Sequence, residues 1–219
     1  MTDRFKSRFR IDTSRLKHWD YGWARAYFVT IVTSGRDPYF GEISKGEIHL
    51  TNIGKMVELE WNKTPQLRPD MNIKLDAFCV MPNHFHAIIE IGRNKYNSYN
   101  LGGGIVEPGN DVERGVETQC IASLQPSDEL SSAQQPNPSQ SDQQPNGIKN
   151  RFGSQSHNLP SIIRGFKSAI TTYAHKCGKK FGWQSRYHEH IIQNKAEFHK
   201  IRQYISSNVA NWKDDRFYV

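Results

Sequence analysis

Two histidines, His84 and His86, stand one residue apart in the run Met-Pro-Asn-His-Phe-His-Ala-Ile-Ile-Glu-Ile of residues 81–91. The apolar, β-branched residues around them predict a strand, in which alternate side chains share a face. Both imidazoles then point one way, with Glu90 further along that face. Phe85, Ala87, Ile89 and Ile91 point to the core. Two neutral imidazoles on one face make half of a divalent metal site. Near the C-terminus, Tyr204-Ile-Ser-Ser-Asn208 offers what could complete it. Tyr204 and Asn208 are four apart on a predicted helix and so share a face. Packed on the sheet, that helix would set His84, His86 and the Asn208 oxygen around a cation, with a phenol beside them. The set suits phosphodiester chemistry. A cation neutralises the developing charge, and a phenolate attacks phosphorus to form a covalent phosphotyrosine. The adduct stores the bond energy, so a strand can be rejoined without a nucleoside triphosphate.

Other residues compete for these roles. A His-x-His pair in a strand is often cross-strand polar decoration. Tyr173 and Tyr187 are rival nucleophiles, although Tyr173 falls in an apolar stripe. His188 and His190 repeat the alternating spacing and could bind metal or phosphate, or simply face solvent. Glu90 reads as an outer ligand or a solvated carboxylate. Arg151, Arg164, Lys167, Lys176, Lys179 and Lys180 flank a predicted helix and are candidates for contacts to a DNA backbone.

The elements that must position these groups follow from periodicity. Tyr27–Thr33 is rich in β-branched and aromatic residues and predicts a strand. Gly41 to Leu50 predicts a hairpin turning at Ser44-Lys45-Gly46-Glu47. Thr51 can cap a helix carrying Ile53, Met56, Val57 and Trp61 at helical spacing. Strands are predicted at Ile73–Val80 and Phe85–Ile91, with Pro82 at the entrance of the second. A helix begins at Asn158-Leu-Pro160, with Ile163, Phe166, Ile170, Tyr173 and Ala174 as its stripe, and ends at Gly178 and Gly182. Trp183–Ile192 predicts a strand. Asn194 and Glu197 resemble a capping box opening a last helix, with Phe198, Ile201 and Ile205 on its buried face. Helices mixed with strands joined mainly by turns indicate an α+β sheet with helices packed on it.

Composition divides the chain. Of 219 residues 36% are hydrophobic, and the deficit is local. Residues 100–148 hold seven Gln, five of the ten Pro, no aromatic residue, and seven acids against Arg114 alone. Because the whole chain is +7, the remainder is strongly basic. We therefore expect a basic N-terminal arm (1–20), one domain built from 21–91 and 159–219, and a polar, acidic, disordered insertion at 92–158. A basic body points to an anionic partner, nucleic acid first. Cys79, Cys120 and Cys177 suggest neither a disulfide framework nor a zinc set. No apolar run approaches a membrane span and no signal-peptide core is visible, so a reducing cytoplasm is the default and no membrane partner is expected.

At this point the sequence resembles the single-tyrosine HUH transposases of the insertion-sequence type, most of all the REP-associated tyrosine transposases. The resemblance is carried by Met-Pro-Asn-His-Phe-His at 81–86 and Tyr-Ile-Ser-Ser-Asn at 204–208. It extends to Phe166-Lys167-Ser168, Trp183-Gln184, Tyr27-Phe-Val-Thr-Ile and Phe40-Gly41. It spans about residues 19–91 and 159–212. It implies a ferredoxin-like antiparallel sheet, Mg²⁺ or Mn²⁺ held by His84, His86 and Asn208, and Tyr204 as the nucleophile forming a 5′-phosphotyrosine. The implied partner is single-stranded or hairpin DNA of repetitive palindromes, with no nucleotide cofactor and a monomeric or homodimeric protein. This chain departs from many relatives at Val209, where they have proline, at Gln193, where they have arginine, and in its long insertion.

The leading expectation is a metal-dependent single-stranded DNA endonuclease and strand transferase. The alternatives are a domesticated DNA-binding protein of the same fold, an HUH nickase of the replication or mobilisation type, and a phosphodiesterase that uses water.

Overall fold

A computed structural model describes residues 4–5, 8–9, 15–16, 19–97 and 156–218. Most of the expected basic arm, Arg151 and the central part of the insertion lie outside the described residues. Among the described residues, eight strands and four α-helices follow in order: β1 (Arg4–Phe5), β2 (Arg8–Phe9), β3 (Arg25–Val32), β4 (Gly41–Ser44), β5 (Glu47–Leu50), α1 (Asn52–Asn62), α2 (Thr64–Leu67), β6 (Ile73–Val80), β7 (His84–Ile91), α3 (Leu159–Lys176), β8 (His188–Ile192) and α4 (Lys195–Ser207).

The main sheet has the order β6-β7-β3-β8 and every neighbouring pair is antiparallel. With α1 between β3 and β6, and α3 between β7 and β8, this is the β-α-β-β-α-β plan of a ferredoxin-like fold. One face carries the larger core. Phe85, Ala87, Ile89 and Ile91 of β7 pack there with Val57 and Trp61 of α1 and Ile162, Phe166 and Ile170 of α3. On the other face Phe28, Ile88 and Ile192 receive Ile201 and Ile205 of α4. Period 2 in β7 and period 3.6 in α4 thus meet on the face that bears the histidines.

Local chemistry explains the boundaries. Thr51 caps α1, its hydroxyl accepting from Gly54 N at 3.1 Å. Gly54 must be glycine, because a Cβ would strike the Phe40 carbonyl. Lys45 and Gly46 both adopt positive φ (52° and 81°), the type I′ geometry of a two-residue hairpin. Asn158 opens α3 with a complete capping box through Ser161.

Two expectations need adjustment. The strand expected at Trp183–Ile192 is only His188–Ile192, with a single bridge from Trp183 to Thr33. The Trp183 indole turns into the core against Phe166 and Phe181 and donates to the Lys167 carbonyl at 3.1 Å, which takes the chain out of the ladder. At α4, Asn194 accepts from Glu197 N at 2.9 Å, but the Glu197 carboxylate accepts from Gln193 N and meets His190 instead of closing the box. The base of the N-terminal arm is tied down: Arg15 Nε donates to the buried Glu189 carboxylate at 2.9 Å. Among the described residues no helix is long and apolar enough to cross a membrane.

Candidate metal and nucleophile site

His84 and His86 are both buried, and their rings sit 4.5 Å apart on the α4 side of β7. Each is oriented through Nδ1. The Asn83 amide donates to the carbonyls of Phe217 (2.8 Å) and Arg36 (3.1 Å), so its Oδ1 must accept. His84 Nδ1, 2.9 Å from that oxygen, therefore carries the proton and Nε2 presents its lone pair. His86 Nδ1 lies 2.8 Å from Thr30 Oγ1, its cross-strand neighbour. His86 Nε2 lies 3.3 Å from the Tyr204 hydroxyl on α4.

Several polar atoms here are buried without a hydrogen-bond partner: His84 Nε2 and both amide atoms of Asn208 at the C-cap of α4. The Asp215 carboxylate adds a donor, with Oδ2 3.8 Å from His84 Nε2. One ligand atom from each of His84, His86 and Asp215 falls within 4.8 Å of the others. Ligands at about 2.1 Å from one cation stand no more than roughly 4.2 Å apart, so a small contraction closes the set. Orphaned buried donors, a fixed tautomer and a mixed nitrogen–oxygen set all suit a divalent ion. His84, His86 and Asp215 can hold one.

The electrostatics agree. Burial drives the His84 pKa well down, helped by the neighbouring His86. Burial also pushes His86 down to about 3, with His188 and Arg216 adding positive charge. Both imidazoles are neutral at pH 7, the form that ligates. Burial raises the Tyr204 phenol, while the adjacent Asn208 amide acts in the opposite direction. Burial likewise raises the Asp215 carboxyl. Phe28 is the floor beneath the nucleophile candidate, its ring meeting those of His86, Tyr204 and His188.

The rivals sort by face. Tyr173 and Tyr187 pack against the larger core, on the side of the sheet opposite the histidine pair. His190 Nε2 is taken up by Glu197 at 2.6 Å. His188 is exposed and pairs in register with Thr30. Of the cations, Arg164, Lys176, Lys179 and Lys180 are exposed on or just past α3, which also covers the opposite face. Lys167 is half-buried, its ammonium donating to the Gln184 carbonyl at 2.7 Å and lying over Trp183. Sequence reasoning missed Asp215 and Arg216. They follow a 3-10 turn (Trp212–Asp214), where no periodicity fixes direction. The usable signal was the aromatic frame of Trp212, Phe217 and Tyr218, which packs this segment back over His84.

Fold and site together define a ferredoxin-like α+β protein with a buried His-x-His pair beneath a tyrosine-bearing helix. The chain belongs to the same family as an uncharacterised protein of Haemophilus influenzae, 31% identical over 206 residues that cover 94% of this chain and 91% of the relative. No family model matches it. Among solved structures it is similar to a REP-associated tyrosine transposase bound to a REP hairpin, at 16% identity and a TM-score of 0.48, covering 91% of this chain and 74% of that one. It is also similar to a candidate transposase from Deinococcus radiodurans, at 11% identity and a TM-score of 0.32, covering 89% and 97%.

Proposed function

We propose that this protein is a metal-dependent single-stranded DNA endonuclease and strand transferase, a transposase with Tyr204 as nucleophile. The observation that carries the reading is the Tyr204 hydroxyl at 3.3 Å from His86 Nε2, beside the unpartnered His84 Nε2. A nucleophile and a set of metal donors there converge on one small volume.

The Tyr204 oxygen attacks phosphorus and the bond to the 3′ oxygen breaks. The phenolic proton is lost as the departing 3′ hydroxyl gains one, leaving a 5′-phosphotyrosine. Attack by another 3′ hydroxyl reverses the step and rejoins a strand. Mg²⁺ or Mn²⁺, held by His84, His86 and Asn208, with Asp215 as a further oxygen donor, would neutralise charge on the phosphodiester. Thr30 and Asn83 fix the imidazoles, and Phe28 limits the swing of the phenol. Hairpin or repetitive palindromic DNA is the proposed substrate, met at the site by Arg216, while the exposed cations of α3, on the opposite face of the sheet, would touch it only beyond the site.

The test is incubation with labelled single-stranded and hairpin DNAs and Mn²⁺, read on a denaturing protein gel. We expect a DNA-shifted band with the wild type and none with Tyr204→Phe. Cleavage without any adduct would assign the chemistry to water, and binding without cleavage would leave a DNA-binding protein.

A further inference from the structure

Beside the histidine pair, a groove of about 500 Å³ runs between the β4–β5 hairpin and the segment after α4. Its walls are Ile43, Leu50 and Pro82, and Trp212 and Tyr218 line it from the C-terminal segment. Trp212 is buried, but Tyr218 is 49% exposed and the two rings meet at 5.3 Å. A large half-exposed aromatic on an apolar cleft is the arrangement on which nucleobases stack. Glu42 and His49, opposite one another on the hairpin, stand at the same groove and supply polar groups.

Position gives the groove its occupant. The His84 and Trp212 rings are 6.0 Å apart, and Trp212 and Tyr218 a further 5.3 Å. The Tyr218 ring is thus no more than about 11 Å from the His84 ring, roughly three nucleotides at stacked spacing and fewer when the strand is unstacked.

We propose that the groove is a stacking subsite for one unpaired nucleobase of the DNA strand, one to three nucleotides from a phosphate held at His84. The proposal rests on the DNA reading above and adds a choice of base. The Glu42 carboxylate accepts hydrogen bonds only, so it favours a base that offers an amino group, adenine, cytosine or guanine, over thymine, whose one donor is its ring N3–H.

The test uses the full chain without divalent metal, so cleavage plays no part. Affinities for dA12, dC12 and dT12 are read by fluorescence anisotropy. Stacking is read by the quenching of a single 2-aminopurine in dA12. We expect dA12 and dC12 to bind more tightly than dT12. Tyr218→Ala is expected to weaken dA12 binding about tenfold and abolish the quenching, while Tyr218→Phe stays within about twofold of wild type. Glu42→Gln is expected to remove the preference of dC12 over dT12. Unchanged affinity and quenching in Tyr218→Ala overturn the subsite, and an unchanged base ratio in Glu42→Gln overturns the base choice. The two readings separate cleanly. Failure of the wild type to bind any oligonucleotide sinks the DNA reading itself, whereas a Tyr204 adduct alongside an unaffected Tyr218→Ala variant removes the subsite alone.

Discussion

Asn83 joins three parts of the chain through one fully buried amide: the loop at Arg36, the C-terminal segment at Phe217, and His84. Its Oδ1 keeps the proton on His84 Nδ1, and so keeps the Nε2 lone pair aimed at the site. Asn83→Ala leaves the His84 Nδ1 proton and two carbonyls without their buried partner. We expect a loss of about 2–3 kcal/mol in stability and a 10- to 100-fold weaker Mn²⁺ affinity, measured by calorimetric titration. Retained affinity would mean that packing, not this hydrogen bond, orients the ring. The depressed histidines also set a pH dependence. In the unfolded chain each imidazole protonates near 6.5, whereas in the fold His86 resists protonation down to about 3 and His84 shifts the same way. Above pH 6.5 both states are neutral. As pH falls from 6.5 toward 3 the unfolded chain takes up protons that the fold refuses, and stability drops by about 1.4 kcal/mol per pH unit per histidine. Asp215, raised by burial, offsets part of this at the acid end. Urea midpoints of the metal-free protein at pH 7.5, 6.5 and 5.5 check it, and equal midpoints would show that solvent reaches the rings. The histidines, Tyr204 and Asn208 were legible because regular elements give fixed spacings meaning. Asp215 and Arg216 were not, because outside helix and strand the sequence does not state which way a side chain turns.

At the scale of elements, α4 is the part on which the site depends most. It meets the sheet through Ile201 and Ile205 on Phe28, Ile88 and Ile192, and through Arg202, whose Nε lies 3.2 Å from the Asp76 carboxylate beside the irregularity in β6. Tyr204 precedes Ile205, so the docking of Ile205 fixes the reach of the phenol. Ile205→Ala removes a side chain that is only 1% exposed, and we expect a loss of about 2–4 kcal/mol in urea unfolding. A loss under about 1 kcal/mol would show that α4 is loosely held. This docking was readable from Phe198, Ile201 and Ile205 at helical spacing, as the hairpin was from Lys45-Gly46. The early part of the Trp183–Ile192 run was not. Trp183 and Tyr187 have strand propensity, but propensity cannot foresee an indole drawn into a cluster of Phe40, Phe166 and Phe181.

For the whole molecule, the question is what the long segment between β7 and α3 contributes to the fold. Its two described ends are held close to each other. Tyr96 stacks on His157 with ring centroids 3.6 Å apart and donates to Asp70. The Asn97 amide donates to the carbonyls of Gly22 and Gly92, each at 3.0 Å, and Asn158 caps α3 immediately beyond. The sheet is continuous across this excursion, since β8, which follows it, pairs with β3, which precedes it. With the ends already joined, removal of residues 100–148 breaks none of these contacts and shortens the loop the unfolded chain must close. Loop-closure entropy then favours the shorter chain by about 1–2 kcal/mol. In a domain of this size that corresponds to a Tm higher by roughly 3–6 °C. The deletion variant is also expected to form the Tyr204 adduct, since the histidine pair, Phe28 and α4 lie on the sheet face away from α3. Differential scanning calorimetry of the two chains decides the matter. A Tm lower by several degrees would mean that the acidic segment packs on the basic domain, whose charge it would then partly neutralise. That outcome would recast the segment as a competitor for the surface through which DNA approaches.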